Sequence, residues 1–111
     1  MSQSLQSVEL MNGSVAVKVD FVHSKKAALI LRSINHKLRQ QIIKLLDESQ
    51  KMTVTEIYVK LRLEQSVASQ HLAILRRAGI VSTTRDGKFI YYSVNYNRLA
   101  EVVKFVETLI A

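Results

Sequence analysis

The sequence predicts a mainly α-helical domain with one small β-hairpin. Three observations carry that expectation. Apolar residues recur at i, i+3, i+4 and i+7 in successive segments, the spacing of helices that bury one stripe. Two β-rich runs flank Asp86-Gly87, a pair that favours a tight hairpin turn. Proline is absent from the 111 residues and glycine occurs three times, which suits helices joined by short turns. A chain of this length forms one domain around a modest core, and 48% apolar content is that of a globular protein.

The elements follow in order. Residues 1–20 read as an N-terminal extension and 21–111 as the domain proper. The first 14 are polar and rich in Ser and Gln, the composition of a frayed tail. In "VAVKVDF", Val15, Val17, Val19 and Phe21 alternate like a strand, yet the piece can equally join the helix that follows. That helix spans about 21–34, with Ala27, Ile30, Leu31 and Ile34 on one stripe. "SINHKLRQQIIKLLDES" restarts the period, with Asn35 as N-cap and Leu38, Ile42, Leu45 and Leu46 on the buried face. "MTVTEI" is a capping box. Thr53 stands at N-cap and Glu56 at N3, with Met52 and Ile57 placed as a hydrophobic staple. This third helix gives out near Leu61.

After "RLEQ" comes "EQSVASQHLAILRRAG". Ala68, Leu72 and Leu75 make its buried stripe, and Gly79 is a natural residue just past its end. Its other face holds Ser66, Ser69, Gln70 and Ala73, small or uncharged where solvated helices usually carry Lys and Glu. Two short helices joined by a tight turn are a helix-turn-helix candidate. The hairpin in "IVSTTRDGKFIYYSV" then presents Arg85 and Lys88 at its tip. A last helix follows, capped by Asn95 or Asn97. Leu99, Val102, Val103, Val106 and Ile110 form one stripe there, widened by Phe105 and Leu109. A helix apolar almost all round must be buried on more than one side. A homodimer interface made by Leu99, Val102, Val103, Val106, Leu109 and Ile110 is the expected outcome.

Charge and composition narrow the function. The chain carries 16 Lys and Arg against 9 Asp and Glu, a net +7. Residues 60–98 hold seven basic and two acidic side chains, so the excess gathers around the helix-turn-helix and the hairpin. Such a balance points to an anionic partner, most often nucleic acid. There is no cysteine, which removes disulfides, thiolate metal sites, a Cys nucleophile and thiol redox sensing. His23, His36 and His71 lack the pairing or added carboxylates of a metal site. Paired carboxylates, a phosphate-cradling Gly loop and a Ser/His/Asp set are missing as well, so an enzyme is disfavoured and no cofactor is expected. No apolar run approaches a membrane span and the N-terminus is unlike a secretory signal, so the expected location is the cytoplasm.

The order of elements is that of a winged helix-turn-helix, about five helices plus a two-stranded wing. A recognition helix enters the major groove with its N-terminal residues toward base edges, where small side chains permit close approach and Gln or Ser bond to bases. Gln65, Ser66, Ser69 and Gln70 meet that requirement, and Gln70 suits bidentate pairing with adenine. Arg76 and Arg77 lie further along and suit flanking phosphate. Arg85 and Lys88 reach phosphate or the minor groove. His71 is open between a phosphate or base contact and a place in the core. Phe89, Tyr91 and Tyr92 suit packing within the hairpin better than base stacking.

"QSVASQHLAILRRAGIV" followed by "RDGKFIYYSV" resembles the ArsR/SmtB family of bacterial winged-helix repressors, and "INHKLRQQIIKLL" matches its preceding helix more loosely. The resemblance spans roughly residues 21–110 and is specific across 63–94. It implies a homodimer built from the first and last helices that binds a two-fold operator in double-stranded DNA and represses transcription. The DNA-contacting positions it implies are Gln65, Ser66, Ser69 and Gln70, with Arg85 and Lys88 on the wing. Cysteines that hold metal in many members correspond to Thr53 and Thr55 here. No histidine follows His71, so the C-terminal-helix metal site is missing too. A metal is therefore not expected, and the small-molecule effector is unassigned. The alternative is a winged-helix protein-interaction module that does not touch DNA, against which the basic wing argues.

Overall fold

In the computed structural model, which describes residues 5–111, the chain forms two antiparallel hairpins and five helices. β1 (Ser7–Asn12) and β2 (Val15–Asp20) form the first hairpin. α1 (Phe21–Ile34), α2 (Lys37–Ser49), α3 (Val54–Leu61) and α4 (Gln65–Arg77) follow, then β3 (Val81–Asp86), β4 (Phe89–Val94) and α5 (Tyr96–Ile110). Apart from residues 1–4, which lie outside the described residues, the expected frayed tail is a paired hairpin. Asn12-Gly13 between two alternating runs is the signal that marks it. Of residues 15–21, which suit either a strand or the following helix, Val15–Asp20 form its second strand and Phe21 begins α1.

Both hairpins turn in the same way. Asn12 pairs with Val15 and Asp86 with Phe89, leaving Gly13-Ser14 and Gly87-Lys88 as two-residue loops. Gly13 and Gly87 take φ of +64° and +62°, while the residue after each does not have positive φ. A glycine first and an ordinary residue second is the pattern of a II′ turn. The expected Asp86-Gly87 turn is thus displaced by one residue, because Asp86 remains in the ladder.

Helix ends are set by named side chains. Asp20 caps α1 by accepting from the amides of Val22 and His23 at 3.0 and 3.1 Å. The expected cap of α2 is corrected: Asn35 closes α1, and His36 Nδ1 accepts from Leu38 N at 3.1 Å. The capping box of α3 is present, with Glu56 N donating to Thr53 Oγ1 and Thr53 N to Glu56 Oε1. At the other end of α3, Arg62 adopts a left-handed φ of 56° and Leu63 N reaches back to Tyr58 O. Gly79 (φ +78°) closes α4 similarly, with Ile80 N donating to Leu75 O. Asn95 caps α5 through Arg98 N.

The core lies under the helix-turn-helix. Ile42 and Leu46 of α2, Ile57 of α3, Leu72 and Leu75 of α4 and Ile80 are fully buried together. Burial of each such side chain is worth about 1.5–3 kcal/mol. The wing is fastened to this unit by a bridge in which Met52 and Tyr92 exchange backbone hydrogen bonds of 3.1 and 2.7 Å. That bridge positions the wing beside α4. α5 divides its apolar residues between two faces. Leu99, Val102 and Val106 pack on the chain's own core, whereas Val103, Phe105, Leu109 and Ile110 are exposed. The single stripe expected for α5 is therefore corrected. Val102 is 7% exposed and belongs to the monomer core, and Leu99 and Val106 lean the same way.

Candidate nucleic-acid interface

The outer face of α4 is built by helical spacing. Gln65, Ser66, Ser69, Gln70 and Ala73 are all exposed, and Arg76 and Arg77 extend the same face by one further turn. Val67, Ala68, Leu72 and Leu75 turn inward or lie half-buried, so the bare side is the polar one. No side chain caps the α4 N-terminus: Glu64 stands at the cap without a side-chain hydrogen bond. The first-turn amides of α4 therefore remain available to a phosphate oxygen, helped by the helix dipole. The turn of residues 62–64 holds α3 and α4 together. Arg62, exposed, is the first residue of that turn and the C-cap of α3.

The wing completes a concave surface. Ser69, Ala73, Arg76, Arg77 and Tyr92 line one shallow depression between α4 and β4. Arg85 and Lys88 are exposed at the far end of the hairpin. Arg85 Nε donates to Gly87 O at 3.2 Å, which braces the turn, and the Lys88 ammonium lies 5.4 Å from the Phe89 ring centre. Lys51 stands 4.8 Å from the ring centre of Tyr91. The geometry thus brings Gln65, Ser66, Ser69, Gln70, Arg76 and Arg77 onto one face, with Arg85 and Lys88 on the wing beside it. Tyr92, expected only to pack, also walls the depression. Nothing in its sequence neighbourhood separates it from Tyr91. The register of the Met52 bridge decides which tyrosine faces α4.

His71 does not join that face. Its ring is half-buried and sits 4.7 Å from the His36 ring, and its Nδ1 is 3.2 Å from Arg39 Nη1. Of the two places open to it, a DNA contact or the core, the ring takes the inner one and packs toward α2, which sets it apart from the other DNA-contact candidates. Burial first, then the charges of His36 and Arg39, hold its imidazole below the ordinary range. Arg39 was not singled out in the sequence, although it precedes Ile42 by three residues and so shares the buried stripe. It is 8% exposed and donates from Nε to Ser33 O and from Nη2 to Arg32 O at 3.0 Å. Both carbonyls lie in the last turn of α1, where Arg32 O also accepts from Asn35 N at 3.1 Å.

The polar face of α4, ending in two arginines beside a tethered wing, is a surface suited to DNA, and comparison with known proteins gives its family. The profile of bacterial regulatory proteins, arsR family, matches residues 36–83, from the α2 cap into β3. An uncharacterised HTH-type transcriptional regulator of Methanocaldococcus jannaschii is 36% identical over 77% of this chain and 96% of its own length. The chain belongs to the arsR family. The transcriptional activator HlyU of Vibrio cholerae is 31% identical over 78% of this chain and 80% of its own. The crystal structure of the transcriptional repressor PagR of Bacillus anthracis superimposes with a TM-score of 0.63 at 30% identity, covering 78% of this chain and 99% of PagR. This arsR-family chain is accordingly a DNA-binding transcriptional regulator with a winged helix-turn-helix fold, and not an enzyme. None of its described helices is long and apolar enough to cross a membrane.

Proposed function

We propose that the protein is a cytoplasmic homodimer that binds a two-fold symmetric operator in duplex DNA and represses the adjoining promoter. The observation that carries this reading is the uncharged Gln65, Ser66, Ser69 and Gln70 face of α4, exposed and continuous with Arg76 and Arg77. In this reading Ser69 and Gln70 read base edges in the major groove, with Gln70 pairing to adenine N6 and N7. Gln65 and Ser66, at the uncapped helix start, reach bases or phosphate. Arg76 and Arg77 neutralise phosphates at the groove margin. Arg85 and Lys88 hold the next stretch of backbone or the minor groove.

Dimerisation doubles the recognition helix, and a two-fold axis makes the operator a dyad. The exposed Val103, Phe105, Leu109 and Ile110 of α5 and Phe21, Val22 and Leu29 of α1 supply apolar surface for the second copy. Leu99, Val102 and Val106 support that surface from beneath. Occupation of promoter DNA by such a dimer excludes the transcription machinery, which is repression in its simplest form. A signal molecule that releases the DNA has no assigned site, and neither metal arrangement expected of the family has its ligands here.

A gel-shift series on the purified protein tests the proposal. Specific duplex binding is expected to persist at moderate salt. If six or more phosphates are neutralised, affinity falls by roughly 10³-fold or more between 50 and 200 mM salt. A protein that shows no preference for any duplex sequence at moderate salt would sink the reading.

A further inference from the structure

The Arg39 side chain connects three helices. It bonds the final carbonyls of α1, it arises from the first turn of α2, and its third contact is His71 on α4. His71 is the residue immediately after Gln70, so its ring lies behind the base-reading side chains. We propose that Arg39 is a positioning residue for DNA binding, which fixes the angle of α4 through the neutral His71 ring and releases it when that ring takes up a proton.

The chemistry of the contact decides its direction. A guanidinium only donates, so His71 Nδ1 must accept, and the ring proton then resides on Nε2. Protonation places an N–H on Nδ1, facing the guanidinium. The hydrogen bond is lost and two cations stand in its place. The groups that act on the ring are Arg39 and His36, one on α2 and the other at its cap. α1 brings only the carbonyls of Arg32 and Ser33 to the cluster. Among the described residues, no carboxylate stands at ion-pair distance from Arg39, His36 or His71 to absorb the new charge. Arg39 is buried and cannot withdraw to solvent without stranding Ser33 O and giving up its bond to Arg32 O, which keeps only Asn35 N, so α4 is the element that yields.

The sign separates this role from a direct one. A His71 that touched phosphate would bind DNA more tightly as pH falls. A His71 that must stay neutral to hold α4 loses DNA as pH falls below the ordinary imidazole range, about 6.5. The inference rests on DNA binding as proposed above, and its test therefore includes a reading without DNA.

The experiment follows affinity for the selected duplex from pH 7.5 to 5.5 in the wild type, His71→Gln and His71→Leu. Gln offers Arg39 an acceptor that does not titrate. The wild type is expected to weaken severalfold, and by less than roughly tenfold at pH 5.5, because a ring held below its ordinary value is only partly protonated there. His71→Gln should bind like the wild type at pH 7.5 and stay flat, and His71→Leu should be weak throughout. Binding that tightens in acid, or an unchanged pH profile in His71→Gln, overturns the proposal. Imidazole nitrogen shifts of the free protein at pH 7.5 should show the Nε2–H tautomer with Nδ1 accepting. The opposite tautomer overturns the coupling even if the chain binds no DNA. If the tautomer is right but no duplex is bound, the DNA-binding reading has failed and the proposal falls with it.

Discussion

In the proposed complex, individual side chains divide into those that read, those that attract and those that hold. Gln70 and Ser69 should read. Gln70→Ala is expected to lose about 1–3 kcal/mol of preference for the correct base at one position, measured by competition between the selected duplex and its single-base variants. Lys88→Ala should act differently. It should weaken binding to all sequences alike and lower the salt slope by roughly one, as removal of a single phosphate contact does. A Lys88→Ala protein with altered sequence preference would place the wing in base recognition. His71 shows where residue-level reading of a sequence stops. Position 71 is adjacent to Gln70 in the chain, but one residue on a helix is a rotation of about 100°, enough to carry the ring from the groove face to the α2 contact. Arg39 was invisible for a related reason. A buried arginine on an apolar stripe has no pattern of its own until the α1 carbonyls it satisfies are seen.

At the scale of elements, local chemistry was legible wherever a short motif closes on itself. The α3 capping box, the Gly79 terminus of α4 and the bounds of α1 depend on residues within a few positions of one another. Thr53→Ala should cost about 1 kcal/mol of stability through loss of the cap, read as a lower midpoint in thermal or denaturant unfolding. Gly79→Ala should be destabilising as well, because a Cβ there meets Arg98 Nε at 3.0 Å on a backbone of φ +78°. The α1 cap should respond to acid. The His23 amide, donating to Asp20, holds that carboxyl below its usual 3.8, with the His23 ring at 3.0 Å assisting. A depressed carboxyl contributes above its ordinary value and loses that contribution as pH falls through its folded value. The protection of the Val22 and His23 amides, measured relative to the intrinsic exchange rate at each pH, should therefore fall in that acid window. Longer-range placement was less legible. The first hairpin is a pairing across a two-residue turn inside a stretch that composition alone marks as tail. The division of α5 into two faces depends on which side meets the core.

The whole molecule is more open than its length requires. Its Cα radius of gyration is 18.0 Å, against about 13 Å for a compact chain of 111 residues. The first hairpin rests against α1 by its base. Val8–Val19, Leu10–Val17 and Asn12–Val15 share one face of it, with Leu10, Val15 and Val17 exposed. Together with the bare sides of α1 and α5, this is apolar surface that a single copy leaves in water, and a second copy covers it in the proposed dimer. The paired substitution Phe105→Glu with Leu109→Glu is expected to give a folded monomer by sedimentation, since both side chains are exposed. Its DNA affinity should drop to that of a half-site. A variant that stays dimeric would move the interface away from α5. The helix-turn-helix and wing were readable from the chain because their signals are local and amphipathic. The openness of the single copy was signalled only by an α5 too apolar for one core.

Selection of bound duplexes from a random-sequence library by the purified protein, at moderate salt, tests sequence-specific dimeric recognition most directly. The expected result is one enriched motif with two-fold symmetry, its half-sites centred one helical turn apart, about 10 base pairs, or a multiple of it. That motif should lose information at one position in each half when Gln70 is replaced by Ala. Recovery of unenriched sequence, with binding that disappears uniformly as salt rises, would contradict it.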